Sequence, residues 1–435
     1  MDPQAPFRSA LRASYRLRVN TLRVAIMVLA SACGVDTALP GDRLADAADA
    51  ADDTGPTYYR DVAAISTRQC AGCHQPGGAA PFPLTTYAEM FERATKIAEV
   101  TAKRIMPPWP ADASGACGTF VDQRWLSASE IETIGAWVAA GARSGDPADA
   151  PVVEVPPAPA FTASVELASD VAYGVAPGPD EYRCIVVDPG LATDSYITAM
   201  AVRLDQAAVV HHVQLFAAAS PAGKADIAAR DAADPGPGYR CGNEGVGTEL
   251  RYVGVWAAGD LVRRWPAGSG IWLSAGSHMV VQFHYHSHDS ELVADRSRVA
   301  LELAPSVSYP GIIDSIAGAP LYLPPGQLNV DISAAREVAV SQPSWLRAAR
   351  IHMHKLGTRG RMELIRGDQT FCLLDIPRWD FGWQLFYTFD QAVAIEPGDQ
   401  IRVTCSYNTQ TQIDPVVWGL STDDEMCLGY SYVTP

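Results

Sequence analysis

At 435 residues the chain exceeds the ~250–300 residues at which single hydrophobic cores stop growing, which excludes a one-domain protein and implies two or three domains. A formal charge of −16 without a basic stripe excludes nucleic acid as a partner. Abundant Gly (35) and Pro (32) with recurring turn pairs exclude a long-helix architecture over most of the length, and short strands joined by loops are expected instead.

Five arginines (Arg8, Arg12, Arg16, Arg18, Arg23) precede the apolar run VAIMVLASA (24–32), which is too short to span a bilayer and has the form of a signal-peptide core. LASAC has the shape of a bacterial lipoprotein cleavage box, with Ala where Leu is commonest. Residues 1–33 therefore read as a signal peptide and lipobox that leave Cys33 as a lipidated first residue. The expected location is the periplasm or the outer membrane of a bacterium, with membrane contact only through that lipid anchor. Export places the remaining cysteines where they can pair. Residues 34–56, Ala/Asp-rich and nearly devoid of large apolar side chains, read as a disordered, solvated tether.

From 57 to 143 the periodicity is helical: DVAAISTRQC, then TTYAEMFERATKIAEVTAKRI, then SASEIETIGAWVAAGA with Ser127 or Ser129 as N-cap. Between the first two lies CAGCH (70–74), the spacing that attaches a c-type haem. Cys70 and Cys73 would hold the porphyrin edge by thioethers while His74 reaches the iron. A zinc knuckle would need a second ligand pair and a redox CxxC a βαβ context, and the sequence offers neither. For the sixth iron ligand, Met106 in RIMPPWP follows a helix and is fixed by a Pro-Pro turn, whereas Met90 sits mid-helix in an amphipathic pattern and is more simply core. A Met/His pair raises the reduction potential and closes the iron to small ligands, as suits an electron carrier. The segment is expected to be a small all-α cytochrome c-like domain.

Residues 144–160 (SGDPADAPVVEVPPAPA) read as a linker. Beyond them the pattern changes to strands, among them ITAMAVRL, VVHHVQLF, HMVVQFHYH, RMELIRG and IRVTCSY, separated by Gly, Asp or Pro turns. Residues 161–435 are thus expected to be all-β and long enough for two sandwiches. Of nine histidines, eight fall here in three clusters: His211 and His212; His278, His284, His286 and His288; His352 and His354. Residues two apart on a strand share a face, so His352 and His354 in RIHMH would point into one site, whereas adjacent His211 and His212 would point apart. The four histidines of SHMVVQFHYHSH share one parity, and spacing does not choose among them. Met426 in TDDEMC adds a thioether, which selects for copper, Cu(I) above all.

HHVQLF, QFHYH, RIHMHKLG and TDDEMC, in this order and approximate spacing, resemble the copper type II, ascorbate-dependent monooxygenases, the group of peptidylglycine α-hydroxylating monooxygenase and dopamine β-hydroxylase. The resemblance covers about residues 165–435. It implies two antiparallel, jelly-roll-like β-sandwich domains, 161–305 and 306–435, each holding one copper across an open cleft. It makes His211, His212 and His284 ligands of an electron-storing copper, and His352, His354 and Met426 ligands of the copper at which dioxygen is activated. The family's pattern of Gln followed two residues later by His-Tyr selects His284 after Gln282. His278 is then a satisfied histidine near the strand start, and His286 and His288 run into a surface turn. The same resemblance pairs Cys184 with Cys241 and Cys405 with Cys427, the second bridge holding Met426 in place, and leaves Cys117 and Cys372 without partners.

Hydroxylating a C–H bond inserts one oxygen atom, reduces the other to water and consumes two electrons. A haem delivers one electron at a time, so two coppers taking one each match the arithmetic. The expectation is an exported haem-copper monooxygenase acting on a small organic or peptide-like substrate with dioxygen. Its two copper ions would be reduced through one covalently bound haem c, by ascorbate or by a redox protein. In the peptide-amidating branch an Arg before the HxH pair, with a Tyr and an Asn after the Met, anchors a substrate carboxylate. Arg350 and Tyr430 match, but Leu428 stands at the Asn position, which weakens the case for peptidylglycine and leaves an internal carboxylate as a rival partner for Arg350. The stretch LLDIPRWDFGWQLFY (373–387) is a candidate cleft wall, with plain sandwich core as the alternative. The rival function is a non-catalytic copper/haem electron-transfer lipoprotein, which predicts loss of the Met ligand or an HxH histidine. A zinc hydrolase predicts a nearby carboxylate base; neither pattern is present.

Overall fold

A computed structural model describes residues 55–435 except 77–79, 122, 154–159, 243–244, 258–261, 288–290 and 319. The signal peptide and lipobox with Cys33, nearly all of the tether, and His288 lie outside the described residues.

The N-terminal part is helical, with α1 (Ala63–Gln69), α2 (Tyr87–Glu92), α3 (Ala94–Ala102) and α4 (Ala128–Ala139). Capping boxes start two of them, Thr86 with Glu89 on α2 and Ser127 with Glu130 on α4, which settles the N-cap at Ser127. The stretch expected as one helix breaks at Arg93, whose φ of −113° and ψ of 10° leave the helical region. Val62, Met90, Ile134 and Trp137 pack into one small core. Met90 is 1% exposed and its sulfur accepts from Ser66 Oγ, so it is a core residue.

The remainder is mostly β-sheet. A five-stranded sheet runs Tyr239–Arg240, Gly178–Val187, His278–Ser287, Val210–Ala218, Leu250–Ala257. A four-stranded sheet runs Val330–Glu337, Gln400–Tyr407, Gly357–Arg366, Gln369–Ile376. A nine-stranded sheet shares a core with each, through Val213, Leu215, Ile197 and Ile271 on one side and Leu346, Ile351, Val403 and Leu364 on the other. The expected two sandwiches are therefore joined by one continuous sheet. The join is parallel: Tyr309–Gly311 pairs with Ser269–Ile271, and the same strand continues antiparallel to Leu428–Thr434. A Cβ on Gly311 would lie 2.2 Å from the Tyr432 hydroxyl, so this close approach requires glycine.

The all-β expectation fails at α5 (Pro221–Ala233). Its signal was present in SPAGK: Ser220 caps by accepting from Gly223 N, and Pro221 occupies the first turn, where its missing N–H costs nothing. Ile227, fully buried, docks this helix onto the Cys184 and Tyr239 side of the five-stranded sheet.

The helical part is not free-standing. Val121 N donates to Thr388 O (2.8 Å), Asp390 N to Thr119 O (2.9 Å) and Asp112 N to Asp375 O (2.8 Å). Trp109 and Phe120 enter the second sandwich's core against Tyr387, and burial of each such ring stabilises by ~1.5–3 kcal/mol. A disulfide, Cys117–Cys372, locks the same face across 255 residues of sequence.

Candidate metal centres

The first cluster lies inside the five-stranded sheet. His284 pairs directly with His212, but Tyr285 then pairs with Val210, leaving His211 as the extra residue of a β-bulge. A bulge turns an extra residue out of strict alternation, so two adjacent histidines reach one site. His211 Nδ1 and His284 Nδ1 each lie 3.2 Å from His212 Nδ1, and one nitrogen from each ring falls within 4.8 Å of the others. His284 Nε2 donates to Asp180 Oδ1 (2.6 Å), which leaves its Nδ1 lone pair facing the other two. Burial, with the neighbouring imidazoles, pushes His211 down to about 4 and His212 well below its ordinary value, so both are held neutral, the ligating form. Burial raises the Asp180 carboxyl, but hydrogen bonds from His284 and Thr422 outweigh it and hold the group at about 2. This donor set fits a copper ion.

The second cluster uses strand ends. The strand Ser344–His352 stops at the first histidine, so His354 meets it beyond the pleat, with the rings 5.1 Å apart at 82°. Met353 between them points into the core and is 0% exposed. His352 Nδ1 bonds Gln384 Oε1, and His354 Nδ1 donates to Asp424 O (3.0 Å), so both rings keep Nε2 for a ligand. Glu425, wholly buried, accepts on one oxygen from His354 N (2.8 Å) and Met426 N (3.3 Å), holding those two residues together. Burial pushes Glu425 up to about 7 against these donors. Tyr407 donates to Met426 O (2.7 Å), and Cys405–Cys427 pins the adjacent residue. Burial also lowers His352 and His354. Two neutral imidazoles, with a methionine tied to the same carboxylate as His354, are donor types that suit copper.

A single ring touches both clusters. Phe381 stacks on His211 (centroids 4.7 Å, 25°) and meets His354 edge-on (5.9 Å). Beside it Asp180 spans both halves, its second oxygen accepting from Thr422 N (3.1 Å) and Thr422 Oγ1 (2.9 Å). Arg350 lies across the ladder from Tyr430, and Leu428 opposite His352. The Arg350 guanidinium sits 5.6 Å from the Tyr430 ring and 5.9 Å from the Phe386 ring; it is 4% exposed and its Nε has no hydrogen-bond partner. Among the described residues no carboxylate pairs with it, so the internal-carboxylate alternative is not realised.

The CAGCH motif follows α1. Cys70 and Cys73 keep free thiols, whereas the other six described cysteines pair as Cys184–Cys241, Cys405–Cys427 and Cys117–Cys372. The first two bridges are those the resemblance implied. The third had no local signal. His74 Nδ1 donates to Phe82 O (3.0 Å), which leaves Nε2 as the ring nitrogen that would hold an iron. Arg124 Nη1 reaches within 4.0 Å of Cys73 Sγ and lines a small cavity with Met106, Trp109 and Trp125, a cavity that Cys70, Cys73 and His74 do not line. Two free thiols and an imidazole in this spacing are the donor types that attach a c-type haem. His278 stands apart, 3.7 Å from Asp188, and His286 is half-buried. Asp180, Gln384 and Glu425 were not legible as site residues, since nothing in their flanking sequence links them to a histidine.

Residues 321–433, which include His352, His354 and Met426, match the copper type II ascorbate-dependent monooxygenase C-terminal domain. The match covers the second sandwich, the part of the chain that carries His352, His354 and Met426. The chain is 25% identical over 199 residues to MOXD1 homolog 1 of Drosophila melanogaster and 26% identical over 199 residues to DBH-like monooxygenase protein 1 of Gallus gallus. It is 24% identical over 198 residues to dopamine beta-hydroxylase of Canis lupus familiaris. The alignments cover 41%, 42% and 42% of this chain and 28%, 32% and 32% of those proteins, so the chain spans about a third of the length of the curated relatives it matches.

Proposed function

We propose that this chain is an exported copper monooxygenase that hydroxylates a C–H bond of a small organic substrate with dioxygen. Its electrons come from a haem c held by Cys70, Cys73, His74 and Met106, or from ascorbate or a redox protein. The observation that carries this reading is the pair of unlike imidazole sites one phenyl ring apart: His211, His212 and His284 on one side of Phe381, His352 and His354 with Met426 on the other. Copper bound at such sites supplies one-electron redox chemistry and the activation of dioxygen. Hydroxylation consumes two electrons, which two single-electron sites provide without a further store.

The chain's own residues do the rest. Asp180, Gln384 and the Asp424 carbonyl orient the rings of His284, His352 and His354, and burial keeps His211, His212, His352 and His354 unprotonated for ligation. The thioether of Met426 favours reduced copper at the second site. Arg350, a buried cation that pairs with no carboxylate among the described residues and is walled by Tyr430 and Phe386, positions an anionic group of the substrate. Leu428, opposite His352, offers that substrate only apolar contact, unlike the Asn of the peptide-amidating branch. Three disulfides support an oxidising compartment, hence the periplasm or a lipoprotein anchored through Cys33.

The test is metal analysis of the full chain combined with copper-dependent oxygen uptake across a panel of small molecules, anionic ones included. Two coppers and one haem per chain are expected, with uptake matched by a hydroxylated product. Uptake without hydroxylated product, or a chain that binds no copper, overturns the reading.

A further inference from the structure

We infer that the first sandwich supplies Tyr252 to the anion site of Arg350, so that the carboxylate of a small organic acid is held by both sandwiches at once. This rests on the role given to Arg350 above and adds to it a residue from the other sandwich and the chemical class of the ligand.

Two strand registers bring these residues together. In the second sandwich Arg350 pairs directly with Tyr430 and His352 with Leu428, and directly paired residues share a face. Arg350 and Tyr430 therefore stand on the face that carries His352, two residues further along the same strand. In the first sandwich the ladder pairs Leu215 with Gly254 but Phe216 with Tyr252, which makes Val253 the extra residue of a bulge. With an unbroken register Tyr252 would pair with Ala217 and point away from the side of His212. The bulge sets it opposite Phe216 instead, on the face of His212 and Gln214, and its ring meets Phe216 at 5.5 Å. The two faces then touch at the tyrosines, whose rings stack at 5.6 Å and 28°.

The polar groups at this contact have few partners. Arg350 is 4% exposed, and its Nε and the Tyr252 hydroxyl are both enclosed without a hydrogen-bond partner among the described residues. A buried donor left unpaired destabilises the protein, and a ligand that accepts from it removes that cost. A second guanidinium, that of Arg263, lies 5.5 Å from the Phe386 ring, which Arg350 also approaches. Burial raises the Tyr252 and Tyr430 hydroxyls, and Arg350 offsets this only in part, so both stay protonated and can donate. Cations and hydroxyl donors gathered in this way require a partner that accepts hydrogen bonds and carries negative charge. A guanidinium meets a flat, two-oxygen carboxylate with parallel hydrogen bonds, and a phenol can donate to a lone pair that remains. The rings of Tyr252, Tyr430 and Phe386 offer the body of such an acid an aromatic wall.

The experiment uses the full chain and two probes of one shape, phenylacetate and the uncharged phenylacetamide. Binding is read by calorimetry and by the rise in melting temperature. Phenylacetate is expected to bind about tenfold more tightly than the amide, or better, and Arg350→Gln to abolish the preference. Tyr252→Phe keeps the ring that stacks on Tyr430 and removes only the hydroxyl. It is expected to weaken phenylacetate about tenfold, the loss of one hydrogen bond to a charged group, and to leave the amide unchanged. Without a probe its melting temperature should hold or rise, since the hydroxyl it removes has no partner. An unchanged phenylacetate affinity in this variant, an equal loss for acid and amide, or a lowered melting temperature without probe overturns the part given to Tyr252 and leaves the Arg350 reading standing. Phenylacetate binding that survives Arg350→Gln, or its absence in the unsubstituted chain, overturns both.

Discussion

The two metal clusters reach similar chemistry by opposite constructions. The first draws its imidazoles from the interior of two paired strands, where the ladder fixes the backbone and one bulge supplies the exception to alternation. The second takes its ligands from where strands end: His352 closes one strand, His354 lies beyond it, and Met426 precedes another. With no ladder to hold them, these residues depend on a buried carboxylate, a glutamine and a disulfide. A site inside a sheet is held by its backbone, whereas a site at the sheet's ends must be held by side chains.

The hardest way to break the comparison is to remove a ligand from each side. His212→Ala and His352→Ala should each lose one of two bound copper equivalents and abolish product formation, read by metal analysis and product assay. Loss of both coppers in either variant would mean that the clusters are one site. Next in size, Cys427→Ser should lower stability by ~2–4 kcal/mol and also weaken copper at the second site, because the bridge adjoins Met426. Cys184→Ser should cost similar stability and leave second-site copper intact, by thermal melts and copper titration.

Smaller effects sharpen the contrast. Asp180→Asn should weaken copper at the first site by ~10–100-fold, the usual range for a partner that orients a ligand, with a lesser effect on the second through Thr422. Equal weakening at both sites in copper titrations would show Asp180 bracing the whole interface. The smallest effect is expected of Phe381→Leu, which keeps an apolar side chain but loses ring contacts of the kind that contribute about 0.5–1.5 kcal/mol. Both coppers should remain, while magnetic coupling between the two cupric ions changes in EPR because the ring separating them is gone.

Much of the candidate site was legible because ligand chemistry is written in residue type and short spacing. CAGCH, the HH pair, HxH and the late Met-Cys each show their chemistry within a few residues, and the selection of His284 among four same-parity histidines agrees with its position opposite His212. Strand alternation does not account for the approach of the two rings in RIHMH, since the strand ends at His352. The helix at Pro221–Ala233 was missed although its cap and first-turn proline were visible, because the strand pattern on either side dominated the reading. Cys117 and Cys372 could not be paired from sequence, as nothing near either residue marks the other.

By itself, then, the sequence determined the donor types, the helical and strand periods and the local caps, because these depend on neighbours a few residues away. Only the tertiary structure decided which distant groups meet. His212 joins His284 across 72 residues, Asp180 joins Thr422 across 242 and Cys117 joins Cys372 across 255. Such encounters follow from how sheets stack and where a bulge shifts register. The placing of Phe381 between the two clusters, and of Arg378 on the helical part, comes from the same long-range packing, to which no local pattern is sensitive.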